Sequence, residues 1–246
     1  MNFSTDRIAK AFYRRVNPYR FEKWERFRPR HDIGSKRKIL VYTDSRGFLM
    51  HKPKYFRSPI GSYLQGLRSS FHTDYYLCRH RHTTLPDFLL EHENNIKKYD
   101  VVILHLGIVD FSPRPIENLK MVIAQKNKVL DKLGIRYNIK QQLKQKTFMT
   151  DEILEQIFSR LDAANLIYIG CNRILNYWEG NYPGQRPKNI NDLLHFDKFL
   201  CERVEKSISL SGWSDLEIKQ YTFDNIHLTR SGFRWLENQI INEIVK

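Results

Sequence analysis

Residues 99–107 read YDVVILHLG. Every position from Val101 to Leu104 is apolar, with none of the polar alternation that marks a strand wetted on one face. A strand buried on both faces reads this way, and such strands belong to parallel sheets covered by helices on either side. Working outward, ANLIYIGC (164–171) has the same character. KRKILVYT (36–43) is a convincing first strand and HTDYYLC (72–78) a weaker second. LEIKQYTF (216–223) alternates and reads as an edge strand. Helical patterns fall between the strands. The Lys/Gln-rich stretch from Ile116 to Arg160 predicts two helices, with a break near Gly134 and another start at Thr150-Asp151-Glu152. Near the C-terminus, Phe233, Leu236, Ile240 and Ile244 form one apolar stripe. Strands alternating with helices give an α/β fold with a parallel five-stranded sheet and helices on both faces. No internal repeat and no low-complexity tract interrupts it.

The whole chain sets further bounds. Its 246 residues, 41% hydrophobic, are enough for one large α/β domain. No apolar run approaches the roughly 18 residues needed to span a bilayer. The first residues, MNFSTDRIAKAFYRRV, carry charges where a secretion signal needs an apolar stretch. Cys78, Cys171 and Cys201 are odd in number and widely spaced, which fits reduced thiols and a cytoplasmic protein.

The formal net charge is +14, which favours an anionic partner. Much of the excess precedes the first strand, in an arm covering residues 1–37 that is set apart from a domain at 38–246. There Arg and Lys alternate with Phe, Tyr and Trp, and residues 5–16 fit one short helix. Such an arm either packs its aromatics on the domain or contacts an anionic membrane face peripherally. Nucleic acid is not expected as a partner, because no zinc-finger, RNP or double-stranded-RNA signature accompanies the charge.

Chemistry concentrates in loops. In a parallel sheet, ligands bind at the carboxyl ends of the strands. There the first strand stops at Thr43-Asp44-Ser45-Arg46-Gly47. Asp44 and Ser45 fit an ordinary helix cap, and Ser45 also fits a nucleophile held at a strand-to-helix turn. The segment DNIHLTRSGF (224–233) places Asp224 and His227 three apart. They lie beside the same edge if they follow a last strand. A serine nucleophile needs a base, and the base needs an acceptor to fix its tautomer. Arginines recur at the loops: Arg46 after the first strand, Arg79 and Arg81 after the second, Arg114, Arg173 and Arg230 after the later ones. Guanidinium forks bind carboxylate and phosphate, so an anionic small-molecule substrate fits this pattern. The aromatic, Gly/Pro-rich loop at 176–187 is suited to stacking on sugar rings or to packing. Cys171 fits a small core residue. His80 and His82 flank Arg81 without a third ligand at metal-site spacing, so no metal is expected. Triad chemistry requires no cofactor.

TDSRG (43–47), LHLGIVDFSPRP (104–115) and DNIHLTRSGF (224–233), in this order, resemble the SGNH or GDSL-type hydrolase family. The resemblance runs from about Lys38 to the C-terminus. It implies a three-layer flavodoxin-like fold and a serine esterase, with Ser45 as nucleophile, His227 as base and Asp224 as its orienter. Thr43 replaces the family's usual glycine. Gly107-Ile108-Val109-Asp110 replaces the usual G-x-N-D, so Val109 offers no side-chain donor to the oxyanion. The second block has no glycine. A backbone N–H at Arg81 or His82, or the side chains of Arg114, Arg46 and His82, are the candidate donors. Asp44 and Gly107 complete the group expected around substrate and oxyanion. The resemblance, taken with the loop arginines and the aromatic loop, points to an esterase or deacetylase acting on an acylated, acidic surface glycan or its precursor, as in polysaccharide biosynthesis. The alternatives are an acyltransferase and a glycan- or nucleotide-sugar-binding protein that has lost hydrolysis.

Overall fold

The computed structural model describes residues 37–51, 56–78, 84–161, 165–178 and 189–246. The strands are β1 (Lys38–Thr43), β2 (Leu49–His51), β3 (Phe56–Ser58), β4 (His72–Leu77), β5 (Val101–His105), β6 (Leu166–Ile169) and β7 (Lys206–Ile208). The helices are α1 (Tyr63–Ser70), α2 (Leu85–His92), α3 (Ile108–Phe111), α4 (Ile116–Lys132), α5 (Ile139–Gln145), α6 (Asp151–Phe158), α7 (Leu193–Arg203), α8 (Asp215–Tyr221) and α9 (Arg230–Val245). β2 and β3 form a small antiparallel pair. The other five strands make one parallel sheet in the order β4-β1-β5-β6-β7. Counted along the chain this is 2-1-3-4-5, the flavodoxin-like order, whose switch point lies between β1 and β5.

The unbroken apolar runs do what their pattern predicts. Leu40, Tyr42, Val102, Leu104, Leu166 and Tyr168 face one core, against α2, α4, α6 and α7. Ile39, Val41, Val101, Ile103, Ile167 and Ile169 face the other, against α1, α8 and α9. The α9 stripe of Phe233, Leu236, Ile240 and Ile244 is wholly buried there. Each side chain so removed from water contributes on the order of 1.5–3 kcal/mol.

Two readings of the sequence need correction. Residues 216–223 are not a strand. Most of them belong to α8, which starts in a reciprocal cap: Glu217 N–H donates to Ser214 Oγ (3.3 Å), and Ser214 N–H donates to Glu217 Oε2 (2.8 Å). This cap satisfies two N–H groups that a strand would leave to a neighbour. The fifth strand is instead β7, whose three residues pair with Ile167–Ile169. The 116–160 stretch breaks where expected, with Gly134 left-handed (φ 65°) and Thr150 capping α6. It also holds one more helix, α5, begun by the Asn138 side chain accepting from the Lys140 and Gln141 N–H groups. The arm and its helix at 5–16, residues 79–83 and residues 179–188 of the aromatic loop lie outside the described residues. Among those described, no helix is long and apolar enough to cross a membrane.

Candidate active site

β1 ends at the switch point, and its exit turn is held from three directions. The Asp44 N–H donates to the His105 carbonyl at the end of β5 (2.9 Å). The Asp44 carboxylate caps the short 3-10 turn Ser45–Gly47 by accepting from the Arg46 N–H (2.8 Å). A Cβ on Gly47 would lie 2.2 Å from Thr43 Oγ1. The threonine therefore occupies space that only a glycine at 47 leaves open. Arg46 folds inward and is 1% exposed. Its Nε donates to both Asp44 oxygens (3.1 and 3.2 Å), and its Nη1 donates to Gly170 O (3.0 Å) and Cys171 Sγ (3.3 Å). Removing one partner of such a buried pair typically costs about 3–5 kcal/mol.

Opposite this turn, residues 222–229 form a tight loop between α8 and α9. Asp224 and His227 thus follow a helix, not the strand expected from the sequence. The loop is closed by the Thr222–Leu228 bridge and by Phe223 N–H donating to His227 O (3.1 Å). Inside it, Asp224 Oδ1 accepts from the Ile226 N–H (3.1 Å) and the His227 N–H (2.8 Å). Asp224 Oδ2 lies 2.8 Å from His227 Nδ1, and His227 Nε2 lies 2.9 Å from Ser45 Oγ. A carboxylate can only accept, so Nδ1 carries the imidazole proton and Nε2 faces the serine hydroxyl as an acceptor. Burial alone would raise the Asp224 pKa. The hydrogen bonds from His227 and from the Ile226 N–H outweigh burial and hold it below the ordinary carboxylate range.

Gly107 has φ 111°, and a Cβ there would meet Phe111 Cε2 at 2.6 Å. Val109 packs half-buried against the core and offers the site no side-chain donor. Asp110, fully buried, reaches across to α2 and accepts from the Thr84 N–H (2.7 Å), the Leu85 N–H (3.4 Å) and the Thr84 hydroxyl. It thereby caps a helix whose own Thr84 makes no side-chain cap. Burial, against these hydrogen bonds, pushes its pKa up to about 7. Arg114 Nη2 donates back to the Val109 carbonyl (2.7 Å). Arg173 pairs with Asp215, and Arg230 is exposed. Arg79, Arg81 and His82 lie outside the described residues. Ser45, His227, Asp224, Asp44 and Arg46 are therefore brought together, with Gly107 on the neighbouring strand's exit.

Several site residues escaped the sequence reading. Asn225, left-handed at φ 67°, accepts the Leu175 N–H on Oδ1 (3.0 Å) and donates from Nδ2 to the Trp178 carbonyl. Asn172 Nδ2 donates to the Asn225 carbonyl (2.9 Å). An asparagine between Asp224 and His227 was the available hint, since asparagine tolerates the left-handed region. Below the turn, His105 Nδ1 lies 3.0 Å from the Tyr63 hydroxyl. Burial and then the Arg46 charge hold the His105 pKa well below its usual value.

No protein-family model matches the sequence, and no curated protein matches it. Solved structures do. A lipase/acylhydrolase from Enterococcus faecalis is 18% identical with a TM-score of 0.51, over 85% of this chain and 95% of that one. A phospholipase A1 from Streptomyces albidoflavus NA297 is 13% identical with a TM-score of 0.47, over 85% of this chain and 99% of that one. With its 2-1-3-4-5 parallel sheet, the chain shares the α/β fold of the lipase/acylhydrolase that it resembles.

Proposed function

We propose that the chain is a serine esterase that removes acyl groups from an acylated, anionic glycan or its precursor. The observation that carries the reading is the hydrogen-bonded line Ser45 Oγ–His227 Nε2–His227 Nδ1–Asp224 Oδ2, at 2.9 and 2.8 Å. In the reaction, Ser45 Oγ attacks the ester carbonyl as its proton passes to His227 Nε2. Asp224 stabilises the imidazolium. Collapse of the tetrahedral intermediate passes that proton to the leaving alkoxide and leaves acyl-Ser45. Water, deprotonated by His227, then attacks the acyl carbon and frees the acid and Ser45. A sugar hydroxyl in place of this water would give acyl transfer by the same residues. Among the described residues nothing accepts from the Ser45 N–H, which suits it to donate to the oxyanion. The glycan part of the reading is supported by the chain's basic charge and by the aromatic loop that follows β6.

The test is hydrolysis of p-nitrophenyl acetate and of O-acetylated acidic oligosaccharides by full-length protein. Ser45→Ala and His227→Ala are expected to abolish turnover, and Asp224→Asn to lower kcat by about 10,000-fold, as carboxylate loss does in such triads. Turnover unchanged in Ser45→Ala would overturn the reading. One observation favours a second reading, a ligand-binding protein without turnover: Val109 stands where a donor is needed. That reading expects oligosaccharide binding without hydrolysis, and with affinity unchanged by Ser45→Ala.

A further inference from the structure

We infer that the exit of β6, residues 170–175, is the frame that registers nucleophile against base, and that Arg46 and Asn225 are its two positioning residues. The inference rests on the esterase reading above. Ser45 and His227 are 182 positions apart and sit on loops from different layers. Their mutual hydrogen bond is too weak to set its own geometry, so the alignment must come from elsewhere.

On the nucleophile side, Arg46 spans two strand ends. Its Nε grips the Asp44 carboxylate and its Nη1 reaches Gly170 O (3.0 Å) and Cys171 Sγ (3.3 Å). Both neighbours of Ser45 are thus fixed to the ends of β5 and β6, Asp44 through His105 O and Arg46 through Gly170 O. On the base side, Asn225 spans the same segment. Its Oδ1 takes the Leu175 N–H, its Nδ2 gives to Trp178 O, and its own carbonyl takes Asn172 Nδ2. The frame is itself anchored: Gly170 N–H donates to Ile208 O on β7 (3.0 Å), and Cys171 N–H donates to Asp197 Oδ1 on α7 (2.7 Å). Neither Arg46 nor Asn225 touches Ser45 Oγ or a ring nitrogen of His227. Both act through what they hold. A 1 Å misplacement of reacting groups can cost about 100-fold in rate, so loss of either grip is felt in chemistry before it is felt in binding.

Two substitutions test this in the full-length chain. Asn225→Gly keeps a residue at ease with positive φ and deletes the side-chain clamp. Arg46→Lys keeps the charge and loses the fork. Each variant is to be crystallised, and its kcat and KM measured on p-nitrophenyl acetate. The expected result is a kcat lower by about 100-fold with KM unchanged. In the crystals the Ser45–His227 separation opens beyond hydrogen-bond reach, while the Asp224–His227 pair stays intact. A kcat equal to wild type, with Ser45 and His227 still bonded in both variants, overturns the inference. If Arg46→Lys does not fold, Asn225→Gly decides alone. If wild type hydrolyses no ester, the esterase reading falls, and the separations in the variant crystals still decide the registration.

Discussion

Asp44 and Ser45 compete, on paper, for one capping role, and the structure divides the work between them. The Asp44 carboxylate takes the Arg46 backbone N–H and the Arg46 Nε, which leaves the Ser45 hydroxyl to His227. The spacing of Asp224 and His227 allowed that pair, because three residues on one loop are enough to bring a carboxylate to an imidazole, but it took the resemblance of three motif blocks in order to single it out. Arg46 was illegible. A loop arginine normally keeps its charge in water, and only the Asp44 carboxylate with the Gly170 carbonyl explains why this one does not. Val109 is the residue that most limits the proposed chemistry. One oxyanion donor is typically worth 100- to 1000-fold. Val109→Asn restores an amide at this position and is expected to raise kcat on p-nitrophenyl acetate by about 10- to 100-fold. A variant that folds and turns over no faster would show that another group already fills the donor's place.

At the scale of elements, continuous apolar runs identified β1, β5 and β6, because strands buried on both faces have no polar alternation to hide in. The fifth strand was misplaced for two physical reasons. β7 is too short for any period to show, and LEIK alternates by accident inside a helix whose start, Ser214-Asp215-Leu216-Glu217, is a capping box. The turn after β1 shows the opposite case, where a departure from a motif is matched locally. Thr43 stands where the motif that the sequence resembles has glycine, and Gly47 makes room for it. Gly47→Ala is therefore expected to lower the melting temperature by several degrees, and Thr43→Gly in the same chain to recover most of the loss. Equal melting of Gly47→Ala and wild type would mean that the two positions do not share that space.

For the whole molecule, buried ionisable groups set how stability depends on pH. The Asp110 pKa is raised to about 7 from a carboxylate's usual value near 4. The folded state thus holds a proton that the unfolded state releases. Its stabilising contribution is full below about pH 4 and is lost as pH rises through about 7. Between pH 5 and pH 8, wild type should lose melting temperature relative to Asp110→Asn, which has no such proton to lose. A difference between the two proteins that stays constant with pH would contradict this. His105 acts in the other direction, losing stability as pH falls below about 6.5, and it does so equally in both proteins. The same fold that buries these groups joins Ser45 to His227 across 182 positions of sequence, and that junction is the central claim. The most direct measurement is the intact mass of wild type and Ser45→Ala after treatment with a fluorophosphonate, followed by peptide mapping. The account predicts one adduct on wild type, on Ser45, and none on the variant. A wild type that stays unmodified, or an adduct that persists in Ser45→Ala, would contradict it.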